Sequence, residues 1–139
     1  MSTTDEESPR VSAALEAALL HELREQYRLL SSMHFKNALK LPQIELVSSR
    51  ARLGRWVEAT RTIELSRPLV LEQPWGIVVE VLKHEMAHQY VCEVLGERGE
   101  TAHGPTFRAV CERLGIDAAA AGMPAAPATE KTAEQRKIG

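Results

Sequence analysis

From about Val11 to Ser31, apolar side chains recur every three or four residues, at Leu15, Leu19, Leu23, Tyr27 and Leu30. That is the 3.6-residue period of an amphipathic helix, and Ser8 before Pro9, or Ser12, suits its start. His21 lies on its polar side and His34 just beyond it, as solvated or capping residues. After Pro42 the period falls to two. Ile44, Leu46 and Ser48 alternate with Glu45, Val47 and Ser49; Arg52 to Ala59, centred on Gly54 and Trp56, and Arg61 to Ser66, with Ile63 and Leu65 on one face, read as two further strands. The links between them are short, which favours antiparallel hairpins, and Pro68 closes the sheet. An apolar run from near Ile77 to Leu95 then reads as a helix that opens near Pro74 and stops before Gly96. A last helix runs from Pro105 to Leu114, with Phe107, Val110, Cys111 and Leu114 on one stripe and Gly115 at its end. The expected fold is α+β: an N-terminal helix, a small three-stranded antiparallel sheet, a central helix and a C-terminal helix.

The ends of the chain lack such patterning. Residues 1–10 are polar and acidic and read as a disordered lead-in, without the basic and apolar regions of a secretory signal. Residues 117–139 read as a disordered Ala/Pro-rich tail. Residues 11–116 remain as one domain, which is what 139 residues can support. A hydrophobic share of 44% and a charged share of 26% are ordinary for a soluble globular chain. The formal net charge of -2 gives no general attraction to nucleic acid or acidic membranes. No apolar run is long enough to span a bilayer. Two cysteines, Cys92 and Cys111, make neither a disulfide framework nor a four-cysteine zinc module, so a cytoplasmic setting is expected.

The central helix carries the chemistry. His84-Glu85-Met86-Ala87-His88 places two histidines one turn apart, with a glutamate beside them, on a stripe shared with Val78, Val81, Leu82 and Cys92. Two such histidines can grip one metal ion, and Glu85 is placed to act as a general base. A catalytic zinc needs a third protein ligand and keeps its fourth position for water. The metzincin pattern is excluded, because Val91 and Val94 stand where it requires glycine and histidine. Glu112, on the following helix, and His103 both remain. His103 is the stronger candidate, since it lies just before a helix, whose dipole favours a neutral, metal-binding imidazole. Cys92 shares the face but lies two turns, roughly 12 Å, from His84, and is assigned with Cys111 to the core.

The arginines Arg50, Arg52, Arg55, Arg61 and Arg67 gather around the sheet, opposed in that stretch by Glu58 and Glu64. A solvated outer face that protects a sheet edge is the first reading. Contact of Arg50, Arg52 and Arg55 with a nucleic-acid backbone is the second. Over residues 11–116 there are 13 Lys+Arg and 13 Asp+Glu, so the domain as a whole is neutral.

Several segments together resemble the SprT-like zinc metalloproteases, the group that includes the DNA–protein crosslink protease Spartan. They are Ile63-Glu64-Leu65-Ser66, the run from Val81 to His88, His103-Gly104-Pro105-Thr106-Phe107 and Leu114-Gly115-Ile116, with Phe35, Leu39, Pro42 and Ser48-Ser49-Arg50 upstream. The resemblance covers roughly residues 11–116. It implies a zincin-like fold, one catalytic zinc ion held by His84, His88 and His103, Glu85 as catalytic base, and hydrolysis of peptide bonds in proteins, including DNA-associated or DNA-crosslinked ones. Many members of that family carry a cysteine-rich zinc ribbon or a basic region after this domain; no cysteine follows Cys111 here. The competing function is a non-proteolytic, zinc-stabilised scaffold or DNA-associated adaptor. Glu85 separates the two, because a structural zinc site needs no general base.

Overall fold

The computed structural model describes residues 12–98 and 102–119. Helix α1, Ala13–Phe35, begins at Ser12, whose Oγ accepts the Leu15 N–H at 3.0 Å. This satisfies one of the orphan donors of the first turn. The helix ends one turn later than its periodicity predicts, where Lys36 and Asn37 adopt left-handed backbone with φ of 52° and 59°. The extra turn brings Phe35 into the core. Leu23, Tyr27 and Leu30 are buried and Leu19 half-buried, while Leu15 is exposed; the apolar stripe meets the core only from its middle onward. His21 is exposed and His34 partly so.

The sheet holds β1 (Gln43–Val47), β2 (Gly54–Val57) and β3 (Thr62–Ser66), in the order β1-β3-β2. It is mixed, which corrects the all-antiparallel expectation. Strands β2 and β3 do form an antiparallel hairpin, closed by a 3-10 turn at Glu58–Thr60 and by Arg61 at φ 51°. Strand β1, however, pairs in parallel with β3, with Ile44 opposite Ile63 and Leu46 opposite Leu65. The chain leaving β1 crosses the end of β3 and returns as β2 on its far side. Ser66 holds that crossing: its N–H donates to the Leu53 carbonyl at 2.9 Å and its Oγ–H to the Ser49 carbonyl at 2.7 Å. The gain is apolar contact. The order sets the two apolar strands side by side and leaves β2 as an edge. Central β3 is buried on both faces except at Glu64.

A short helix, α2 (Arg67–Glu72), follows without a loop. Periodicity missed it, but its signal is in the sequence. Ser66 is an N-cap whose Oγ also accepts the Leu69 N–H at 3.1 Å, and Pro68 sits in the first turn. Pro68 therefore ends the sheet by starting a helix. Helix α3, Trp75–Gln89, continues as a π-helical turn over Tyr90–Val94 before Gly96 takes φ 68°. Its Val78, Val81, Leu82 and Met86 have almost no exposed surface. Helix α4, Pro105–Leu114, has the expected bounds and ends at Gly115 with φ 71°. Among the described residues, four α-helices and a three-stranded sheet make an α+β fold, with the core enclosed by α1, the sheet, α3 and α4. No helix among the described residues is long and apolar enough to cross a membrane.

A buried polar network fixes α3 against α1. Tyr27 donates to Gln89 Oε1 at 2.7 Å, and Gln89 Nε2 donates to the Lys40 carbonyl and to Glu93, each at 3.0 Å. Arg61 clamps Glu93 through two bonds of 2.6 and 2.8 Å. The expected lead-in and most of the expected tail lie outside the described residues. The first three tail residues, 117–119, are described, and Ala119 is buried.

Candidate metal centre

His84 and His88 lie one turn apart on α3, and His103 immediately precedes Gly104, the N-cap residue of α4. The core-facing stripe of α3 fixes the first two, and the docking of α4 brings up the third. One ligand atom from each histidine lies within 4.8 Å of the other two. The Nε2 atoms of His84 and His103 are 3.3 Å apart. Two nitrogens at about 2.05 Å from one tetrahedral ion are about 3.3 Å from each other, so this spacing fits a shared metal. His84 Nδ1 lies 3.2 Å from the backbone carbonyl of Asp117. A carbonyl can only accept, so the proton is on Nδ1 and the Nε2 lone pair is free. Phe107 of α4 stacks on His88 with ring centroids 4.0 Å apart and planes 11° from parallel.

Burial lowers the pKa of all three imidazoles and so favours the neutral form, which ligates metal. It lowers His84 to about 4, against the Asp117 hydrogen bond, which raises it. It lowers His88 to about 3, helped by the neighbouring histidines. His103 is lowered by burial and then by the Arg108 guanidinium, whose Nε also donates to the His103 carbonyl at 3.0 Å.

Glu85 is 2% exposed and points from α3 toward β2. Burial raises its carboxyl, and although the Arg52 charge and a hydrogen bond from the Trp56 backbone N–H pull it down, it still stands at about 8. The close approach of strand to helix depends on Gly54. A Cβ there would stand 3.0 Å from Val81 Cγ1 and 3.1 Å from Glu85 Oε2. Glycine inside a strand is a recognised sign of such an approach, but it does not say what approaches.

The centre opens on a cleft of about 570 Å³, lined among others by Arg52, Gly54, Trp56, Glu85, Cys92 and Arg98. Cys92 is buried in its wall, where Arg98 donates to Sγ at 3.2 Å, and is not part of the histidine cluster. Cys111 is buried in the core, which raises its thiol to about 12. Glu112, the alternative third ligand, is exposed and outside the cluster. Tyr90 packs against Phe35, with ring centroids 5.5 Å apart.

The arginines are opposed by more carboxylates than their own stretch contains. Arg50 forms a two-bond pair with Glu72, Arg55 meets Glu64 at 3.2 Å, Arg61 meets Glu93 and Arg67 meets Glu16. Arg52 is exposed at the cleft and has no ion pair among the described residues. These partners come from other elements, so the local sequence overstated the free positive charge.

A family model described as the SprT-like family matches residues 20–130. The chain belongs to the SprT-like family. The matched span contains all three histidines, Glu85 and the strands and helices that position them. Over 53 residues the chain is 40% identical to a DNA-dependent metalloprotease of Caenorhabditis elegans, dvc-1. That similarity covers 38% of this SprT-like chain and 14% of the longer relative.

Proposed function

We propose that this SprT-like chain is a zinc-dependent metalloendopeptidase of zincin type that hydrolyses peptide bonds in proteins. His84, His88 and His103 hold the metal and Glu85 is the general base. The observation that carries this reading is the convergence of three imidazoles beside a buried carboxylate on an open cleft. Imidazole donors suit zinc. Among the described residues no fourth side chain joins the cluster, which favours a catalytic over a structural site.

A zinc ion bound there supplies Lewis acidity. The chain's own residues do the rest. Glu85 accepts a proton from the attacking water at its carboxylate and delivers it to the departing amine. Arg52 and the Trp56 N–H lower its pKa without bringing it back to the ordinary carboxylate range, and a cation held by the histidines would lower it further, toward the ionised form that accepts a proton. Gly54, Arg55 and Trp56 on edge strand β2 line the cleft, where an extended polypeptide can add as a further strand. Phe107 and the buried α3 face keep bulk water from the rear of the site.

DNA-associated or DNA-crosslinked proteins are the substrates within this proposal, supported by the name of the nematode relative. Arg50, Arg52 and Arg55 are the proposed DNA contacts, and a cytoplasmic setting is part of the same reading. The test is cleavage of a DNA-bound protein with and without single-stranded DNA. Glu85→Gln should abolish cleavage and retain zinc; His103→Ala should lower zinc occupancy. Cleavage by Glu85→Gln at the wild-type rate refutes the mechanism, and stimulation by DNA that survives neutralising the three arginines removes them as the contact. Zinc binding without cleavage of any unfolded protein favours the non-proteolytic scaffold.

A further inference from the structure

His84 is 1% exposed, and its Nδ1 has one hydrogen-bond partner among the described residues, the Asp117 carbonyl. That carbonyl belongs to the short segment after α4. The segment is fixed at both ends. Ile116 is buried and its N–H donates to the Cys111 carbonyl at 2.8 Å; Asp117 Oδ1 accepts the Ala119 N–H at 2.9 Å, and Ala119 is buried. An aspartate that bonds the N–H two residues on closes an Asx turn, and this turn sets the direction of the Asp117 backbone.

We propose that Asp117 is a positioning residue for the metal centre: its side chain closes the turn that aims its own backbone carbonyl at His84 Nδ1, holding the imidazole in the tautomer and orientation that present Nε2 to the metal. The inference rests on the histidine cluster being a metal site. Partners that orient a ligating histidine from its far side typically contribute 10- to 100-fold in metal affinity. The other tautomer puts a proton on Nε2 and blocks the ligand. The Asp117 side chain is exposed, so replacing it leaves the core packing in place.

The experiment uses full-length, metal-stripped protein, titrated with Zn2+ against a competing chelator and with Co2+ followed by its visible absorption. Asp117→Ala removes the acceptor of the turn; Asp117→Asn keeps it and removes the charge. We expect one Zn2+ per wild-type chain, about 10- to 100-fold weaker binding and an altered Co2+ spectrum for Asp117→Ala, and recovery of both by Asp117→Asn. Unchanged melting of the metal-free Ala variant locates the effect at the metal centre. Wild-type Zn2+ affinity and Co2+ spectrum in Asp117→Ala overturn the proposal while leaving the metal site intact. Binding by Asp117→Asn as weak as by Asp117→Ala also overturns it, because the carboxylate charge is then what matters. Absence of metal binding by the wild type overturns this proposal and the metalloprotease reading together.

Discussion

Replacing Gly54 by alanine probes how tightly β2 holds the Glu85 carboxylate, the proposed general base. The added Cβ would lie 3.0 Å from Val81 Cγ1, 3.1 Å from Glu85 Oε2 and 3.2 Å from Glu85 Cγ. Ordinary carbon contacts lie at about 3.5–4.0 Å, so something must move. Val81 is 1% exposed and packed in the core, and cannot retreat. Either β2 lifts, stretching the Trp56 N–H bond to Glu85, or the carboxylate swings away from the histidines. Overpacking of this kind costs about 1–3 kcal/mol, and the less flexible unfolded chain returns about 0.4–1 kcal/mol. The net loss is about 1–2 kcal/mol, a fall of several degrees in Tm for a domain of this size. Activity should suffer more, since displacing a catalytic group by about 1 Å can cost on the order of 10²-fold. Steady-state cleavage of an unfolded protein, with zinc content measured on the same samples, should show kcat/KM lowered by about that factor at unchanged metal stoichiometry. An alanine variant with wild-type kcat/KM and Tm would refute the tight strand–helix contact. Loss of zinc in proportion to loss of activity would refute the assignment of the effect to Glu85.

Two further outcomes follow from the buried groups. In metal-free protein, His84 and His88, lowered from 6.5 to about 4 and about 3, contribute stability that is present above pH 6.5 and lost as pH falls toward those values. Glu85, raised from 4.5 to about 8, contributes stability that is present below 4.5 and lost as pH rises toward 8. Denaturant titrations should therefore show a maximum near pH 6.5 and a net fall of about 1 kcal/mol by pH 8, because the last of the histidine gain partly offsets the Glu85 loss of about 1.36 kcal/mol per unit. Glu85→Gln should flatten that alkaline fall; an unchanged fall in the variant rejects Glu85 as its source. Tyr27→Phe leaves Gln89 Oε1 buried without the donor that satisfies it, which costs about 1–3 kcal/mol; a urea midpoint equal to wild type at equal m-value counts against the network as a brace for α3.

Much of the fold was legible in the sequence because its signals are local. The period of apolar residues in α1, the Pro105 and Gly115 bounds of α4, and the i, i+4 placement of His84 and His88 depend on neighbours a few residues away. The short helix α2 was equally legible through Ser66 and Pro68, but periodicity cannot report an element of six residues. The family resemblance carried the third histidine further than spacing alone, which left Glu112 open.

The tertiary structure decided what depends on distant partners or on backbone atoms. Strand order is one case: short links suggest hairpins, yet burying the apolar residues of β1 against those of β3 outweighs nearest-neighbour pairing. The arginines are another, since their partners Glu16, Glu72 and Glu93 lie outside the sheet stretch. The Asp117 carbonyl and the Trp56 N–H belong to the same class. Every residue carries such groups, so no residue type announces them. By itself the sequence determined which side chains could do the chemistry. Only the packing of α4 and β2 against α3 determined their protonation, direction and spacing, because burial and hydrogen-bond geometry are properties of the assembled core.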